Sequence, residues 1–100
     1  MRLTPNQTLS ILQTVGRWTD RRTTVYLFGS RLDDQARGGD VDLLLETDEP
    51  LTLIERAKIK MELEAELGLP VDVVGFIRGQ TPTPFQTIAR VQGQRLEMLA

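Results

Sequence analysis

The sequence contains neither cysteine nor histidine among its 100 residues. These two absences exclude disulfide bonds, zinc sites of the cysteine and histidine type, thiol nucleophiles and any unit in which histidine activates serine or cysteine. Any chemistry must therefore depend on carboxylates, arginines, lysines, hydroxyl groups and bound ions.

Long apolar runs and an excess of basic charge are also missing. No run approaches the roughly 20 residues that a membrane-spanning helix needs, and residues 1–5 lack the apolar core of a signal peptide. Twelve basic residues stand against fourteen acidic ones, for a net charge of −2. Non-specific nucleic-acid binding requires a basic face, which this balance does not indicate. We therefore expect a cytoplasmic protein with no membrane and no direct nucleic-acid partner.

The size and composition are those of one small globular domain. Apolar residues make up 40% of the chain and charged residues 26%, as in ordinary soluble domains. A mass of 11.3 kDa fits a single domain over residues 1–100. No internal repeat and no low-complexity stretch is visible.

Hydrophobic periodicity predicts helices alternating with strands. The predicted helices cover 5–19, 51–67 and 85–91, and the predicted strands cover 25–28, 41–45 and 70–74. Residues 94–98 either continue the last helix or form a short final strand, and the strand is the preferred interpretation. Residues 30–36 are predicted to add one or two helical turns. Thr52 and Glu55 have the spacing of a capping box at the start of the second long helix. Leu43, Leu44 and Leu45 are apolar without alternation, which favours a strand covered on both faces. The order predicts an α/β (α+β) fold with a small mixed sheet of about four strands packed with helices.

The helix over 51–67 has two apolar stripes. Ile59, Leu63 and Leu67 lie nearly opposite a second stripe of Ile54, Ala57, Met61 and Ala65. Either the helix is wedged between the sheet and a loop, or the second stripe is a surface for a partner or a second copy. The sequence leaves both interpretations open.

Gly29 and Ser30 follow directly on the first predicted strand. A strand end that leads into a helix N-terminus exposes free backbone N–H groups, which together with a serine hydroxyl can cradle a phosphate. Gly29 allows the backbone to approach such a ligand closely. This tripeptide, Gly29-Ser30-Arg31, is common in loops and is a weak signal alone.

Three aspartates enter the second and third predicted strands. Asp40 and Asp42 stand two residues apart, so alternation places both on one face. Asp72 lies in an apolar run and reaches the same place if its strand neighbours theirs. An all-oxygen site favours Mg²⁺ or Mn²⁺, and two such ions about 3.5–4 Å apart serve phosphoryl and nucleotidyl transfer. The alternatives are two solvated acids at a strand entry and an Asp72 paired with an arginine.

The ordered set of these motifs resembles the DNA polymerase beta nucleotidyltransferase superfamily. More closely, it is similar to the minimal nucleotidyltransferases (MNT), the antitoxin half of a pair with HEPN-domain toxins. The family pattern is Gly-Ser, a spacer of about ten residues, Asp-x-Asp and a later third acid. In this sequence the pattern comprises Gly29-Ser30, Asp40-Val41-Asp42 and Asp72, and the resemblance extends over nearly the whole chain.

The resemblance implies a role for each matching residue. Gly29 and Ser30 would hold the triphosphate of a nucleotide, and Arg31 would contact phosphate or brace the acids. Asp40 and Asp42 would coordinate two metal ions, Mg²⁺ or Mn²⁺. Asp72 would bind the catalytic ion and help to deprotonate the attacking hydroxyl.

The implied reaction is transfer of AMP from ATP to a tyrosine hydroxyl of a HEPN toxin, an RNase, with pyrophosphate leaving. A chain of this length has no room for an acceptor domain, so we expect the acceptor on another chain. Two alternatives stay open: an antitoxin that blocks its toxin by binding alone, and nucleotidyl transfer to a small molecule or RNA.

Overall fold

The computed structural model describes residues 3–19, 22–28 and 40–96. The helices are α1 (Pro5–Trp18), α2 (Leu53–Leu67) and α3 (Pro84–Gln92), and the strands are β1 (Thr24–Phe28), β2 (Val41–Thr47), β3 (Val71–Ile77) and β4 (Gln94–Arg95). Each corresponds to a predicted element. The predicted helical turns over 30–36 lie outside the described residues. In the part of the chain that the structure describes, no helix has the length and apolar character to cross a membrane.

Two long helices begin at capping boxes. The hydroxyl of Thr4 accepts a hydrogen bond from the backbone N–H of Gln7, and the Gln7 side chain accepts one from the Thr4 N–H. Thr52 and Glu55 do the same at the start of α2, as their spacing predicts. Helix α2 ends at Gly68, whose φ of 69° is a left-handed conformation that glycine adopts without strain.

The sheet has four strands in the order β3-β2-β1-β4. Strand β1 pairs antiparallel with both β2 and β4, whereas β2 and β3 are parallel and are joined through α2. The sheet is therefore mixed, which confirms the predicted fold class. Strand β2 is central, and β3 forms one edge.

The core lies on both faces of β2. Leu43, Leu44 and Leu45 are all fully buried, as the run of three leucines predicts. One face packs against α1 and α2 through a cluster that includes Leu43, Leu45, Ile11 and Ile59. On the other face Leu44 packs with Phe76 and partly buried neighbours. Helix α3 contacts β3 there: the Gln86 side chain donates a hydrogen bond to the Gly75 carbonyl, and the Arg90 guanidinium lies over the Phe76 ring.

The structure separates the two apolar stripes of α2. Ile59 and Leu63 are fully buried in the core, whereas Ile54 and Met61 are 70% and 64% exposed. The interpretation of a helix wedged between the sheet and a loop is therefore wrong for the described residues. The second stripe lies at the surface.

Strand β3 is longer than the sequence predicts. The sequence predicts an end before Gly75, but the strand continues to Ile77 because its parallel neighbour β2 also continues, with Leu45 opposite Gly75 and Thr47 opposite Ile77. Ladder pairing with an extended neighbour outweighs the local preference of one glycine for a break.

Candidate active site

Asp42 and Asp72 are register partners on neighbouring strands. Asp42 of β2 lies opposite Asp72 of β3 in the parallel ladder, and Phe28 of β1 lies opposite Asp42 on the other side. Adjacent strands lie about 4.7–4.9 Å apart, and paired residues point their side chains to the same face. The two carboxylates are therefore neighbours at one end of the sheet, where β1 ends and β2 and β3 begin.

Two neighbouring acids influence the ionisation of Asp42. Burial raises the pKa of the Asp42 carboxyl, and the nearby carboxylates of Asp72 and Asp40 raise it further, as does a side-chain hydrogen bond with Asp72. Asp42 is half-buried, while the Asp72 side chain is 65% exposed. The site thus concentrates negative charge that the described side chains compensate only in part.

Lys60 of α2 supplies that partial compensation. Its Nζ lies 3.9 Å from Asp72 Oδ1, donates a hydrogen bond of 2.6 Å to the Val71 carbonyl oxygen and one of 3.2 Å to Glu64 Oε2. The same Glu64 oxygen accepts a hydrogen bond of 3.0 Å from the Val71 N–H. The two helical side chains therefore hold both backbone polar groups of Val71, the residue before Asp72.

A cleft of about 600 Å³ opens between α2 and the edge strand β3. Both Asp42 and Asp72 line it, together with the basic side chains of Arg56 and Lys60. The remaining lining is apolar: Phe28, Leu53, Ala57, Val73 and Val74. The cleft thus combines two carboxylates, two cations and an apolar wall, which is the usual composition of a small-ligand site.

The donor chemistry fits a hard divalent cation. All three acids offer oxygen ligands. A cation between Asp42 and Asp72 would offset the repulsion that, together with burial, raises the Asp42 pKa. Within residues 3–19, 22–28 and 40–96, no group of three acidic side chains already surrounds one common point.

Comparison with known families decides the classification. The family model described as polymerase beta nucleotidyltransferase matches residues 13–96, which is well over half of the chain. The chain belongs to the polymerase beta nucleotidyltransferase family. The resemblance seen in the sequence motifs is thereby confirmed, although a search of curated proteins finds no match.

Solved structures share the fold of this nucleotidyltransferase. A chain from the Shewanella oneidensis complex of a tri-AMPylated HEPN toxin with an MNT antitoxin has a TM-score of 0.71 at 20% identity, covering 94% of this chain and 71% of that one. A toxin–antitoxin structure with AMP-PNP has a TM-score of 0.69 at 26% identity, and the match covers 97% of this chain and 75% of that one. The MntA–HepT toxin–antitoxin structure has a TM-score of 0.67 at 22% identity, and the match covers 96% of this chain and 74% of that one.

The nucleotidyltransferase brings together the predicted acids that the structure describes. Asp42 and Asp72 are neighbours across the ladder. The carboxylate of Asp40, two residues before Asp42, contributes to the raised pKa of Asp42. Gly29, Ser30 and Arg31 lie outside the described residues, and their predicted phosphate contacts stay predictions. Of the alternatives for Asp72, pairing with an arginine is not what the described residues show, because its cationic neighbour is Lys60.

Sequence reasoning missed the contribution of α2 to this site. Lys60 and Glu64 have the i, i+4 spacing of a helical ion pair, which was a visible signal. Their contacts with Val71 depend on how α2 packs beside β3, and no local pattern reports that packing. Arg56 carried no signal beyond its helical position.

Proposed function

We propose that this nucleotidyltransferase neutralises a HEPN-domain toxin by transferring AMP from ATP to a tyrosine hydroxyl of the toxin. The observation that carries the proposal is the pairing of Asp42 with Asp72 in a cleft of a nucleotidyltransferase fold, with Asp40 close enough to raise the pKa of Asp42. Support also comes from the similar structures, one of which holds a tri-AMPylated HEPN toxin and another AMP-PNP. The substrate, the acceptor and the partner follow from that similarity.

In the proposed reaction the acids of the site hold divalent cations, Mg²⁺ or Mn²⁺. Asp40 and Asp42 would ligate both ions, and Asp72 would ligate the one nearer the acceptor. Bound ions of this kind neutralise charge on the transferring phosphoryl group and lower the pKa of the attacking hydroxyl. Asp42, the half-buried central member, keeps the acids at a fixed separation because it sits inside the ladder between β1 and β3.

The covalent step balances without a further reactant. A bond forms between the hydroxyl oxygen and the α-phosphorus of ATP, while the bond from the α-phosphorus to the bridging oxygen breaks. Pyrophosphate leaves with that electron pair, and the hydroxyl proton passes to the exposed carboxylate of Asp72 and on to water. Gly29 and Ser30 would hold the departing phosphates, with Arg31 beside them.

Mass analysis of the partner tests this proposal. The chain is incubated with ATP, Mg²⁺ and a HEPN chain taken from the neighbouring reading frame. The mass of the intact HEPN chain is then measured by mass spectrometry. A gain of one or more AMP units, lost when Asp40 and Asp42 are both replaced by asparagine, is the expected result. An unmodified HEPN chain, with AMP from ATP transferred to RNA or to a small molecule instead, would overturn it.

A binding-only antitoxin is the second candidate. The exposed stripe residues Ile54 and Met61 favour it, since they offer contact area that does not depend on the acids. Cell rescue separates the two candidates. Equal rescue by the wild type and by the Asp40→Asn, Asp42→Asn double variant, at equal protein levels, would favour binding alone over catalysis.

A further inference from the structure

The strand order assigns the two sides of the proposed reaction to different parts of the sheet. Strand β2, with Asp42, lies between β1 and the edge strand β3. In the sequence, the proposed phosphate-holding residues Gly29 and Ser30 directly follow Phe28, the last residue of β1. Asp72 lies on the opposite side, at the open edge.

In nucleotidyl transfer the attacking and leaving oxygens lie roughly in line, on opposite sides of the phosphorus. If the leaving pyrophosphate is held on the β1 side, the acceptor hydroxyl must approach from the β3 side. The cleft extends from Phe28 at the end of β1, past Asp42, to α2 and β3. Its β3 end, where Asp72 lies, is the opening on that side.

The lining of the cleft suits an aromatic side chain with a hydroxyl group. Its volume of about 600 Å³ falls within the range of roughly 300–1,000 Å³ typical of small-ligand sites, and most of its wall is apolar. Leu53 forms part of that wall and is 74% exposed. An aromatic ring that packs on such a wall can present its polar end to the carboxylates.

Arg56 is the cation of the cleft that is available for a ligand. Lys60 is committed to Val71 and Glu64. For the exposed guanidinium of Arg56, by contrast, no ion pair or hydrogen bond to the described residues is found. A guanidinium in this position suits a carboxylate or carbonyl oxygen of a peptide segment.

We infer that the cleft between α2 and β3 is the acceptor site, which takes an aromatic hydroxyl side chain presented by a protein segment. Leu53 packs against the ring, and Arg56 binds an oxygen of the same segment. The inference rests on the proposed function and adds the place of entry and two residues that recognise the acceptor.

Steady-state kinetics with the HEPN chain as acceptor tests the inference. The acceptor and ATP are varied independently for the wild type, Leu53→Glu and Arg56→Glu. Both substitutions should raise the KM for the acceptor about tenfold, which corresponds to about 1.4 kcal/mol of binding, and leave the KM for ATP unchanged. Val91→Glu and Lys58→Glu are matched controls, since both residues are exposed and neither lines the cleft.

The outcomes that would overturn the inference are distinct from failure of the proposed function. A raised KM for ATP with an unchanged KM for the acceptor would assign the cleft to the nucleotide. Unchanged values for both substrates would leave the cleft without a role in recognition. Absence of transfer by the wild type, while the complex still forms, would reject the proposed function itself and the inference with it. Unchanged melting temperatures of the variants exclude misfolding as the cause of any effect.

Discussion

The Glu64 carboxylate of α2 accepts a hydrogen bond of 3.0 Å from the Val71 N–H, the residue directly before Asp72. Lys60, one turn earlier, donates to the carbonyl oxygen of the same Val71. The first residue of an edge strand is thus held on its free side by a helix. Because Asp72 follows Val71, the position of this carboxylate depends on α2 as well as on the ladder.

Replacement of Asp42 by asparagine should raise the melting temperature of the cation-free protein while it abolishes AMP transfer. Partial burial and, after it, the carboxylates of Asp72 and Asp40 raise the Asp42 pKa, so the ionised form destabilises the fold. We expect an increase of about 2–4 °C, measured by calorimetry in EDTA. Asp48→Asn is the control with the opposite sign, because Asp48 is paired with Arg22 and Arg78. A lower melting temperature for Asp42→Asn would contradict the repulsion argument.

The Glu64 carboxylate should make the folding stability depend on pH in the acidic range. Hydrogen bonds from the Val71 N–H and from Lys60 lower its pKa below the ordinary value of 4.5. The charged form therefore stabilises the fold above pH 4.5, and this contribution is lost as the pH falls through the lower folded-state pKa. In urea unfolding from pH 7 to pH 3, Glu64→Gln should be less stable than the wild type at pH 7, and the difference should shrink below pH 4.5. Glu66→Gln, on the exposed side of α2, should show no such convergence.

Lys60→Met should slow AMP transfer more than it affects ATP binding. The substitution removes the hydrogen bond to the Val71 carbonyl oxygen and the positive charge beside Asp72. The Asp72 carboxylate is therefore less well positioned. We expect kcat to fall about tenfold, which corresponds to about 1.4 kcal/mol in the barrier, with the KM for ATP nearly unchanged. Lys58→Met on the same helix is the control. Equal losses in both variants would show that general charge, rather than position, is responsible.

Two isoleucines of α2 should differ sharply in their effect on stability. Ile59 is fully buried, while Ile54 is 70% exposed. Ile59→Ala should lower the free energy of unfolding by about 2–5 kcal/mol, whereas Ile54→Ala should change it by no more than about 0.5 kcal/mol. Denaturant unfolding of the two variants measures both values. A large effect of Ile54→Ala would mean that the second stripe is covered within this chain.

Much of the fold could be predicted because its signals are local. The Thr52–Glu55 capping box, the leucine run of β2 and the helical periodicity of residues 5–19 each report on their own neighbourhood, and each element is found in the structure. The end of β3 was not predictable in this way. Its last residues are extended because Thr47 continues β2 beside them.

The acids of the candidate site were predictable as a set, whereas their surroundings were not. Asp40, Asp42 and Asp72 could be selected because paired carboxylates in apolar strands call for a cation. Lys60, Glu64 and Arg56 could not, since a helix of mixed charges shows many equivalent basic and acidic positions. Their proximity to Asp72 comes from packing between elements distant in the chain.

The sequence by itself determined the element order and the family, and it selected the three acids as candidates, because these depend on local patterning and on motif spacing. Only the tertiary structure decided that Asp42 and Asp72 are partners, that β3 is an edge strand and that α2 forms the wall of the cleft. The reason is that strand order and helix placement depend on how separate apolar faces are buried together. That burial joins residues whose distance along the chain carries no signal.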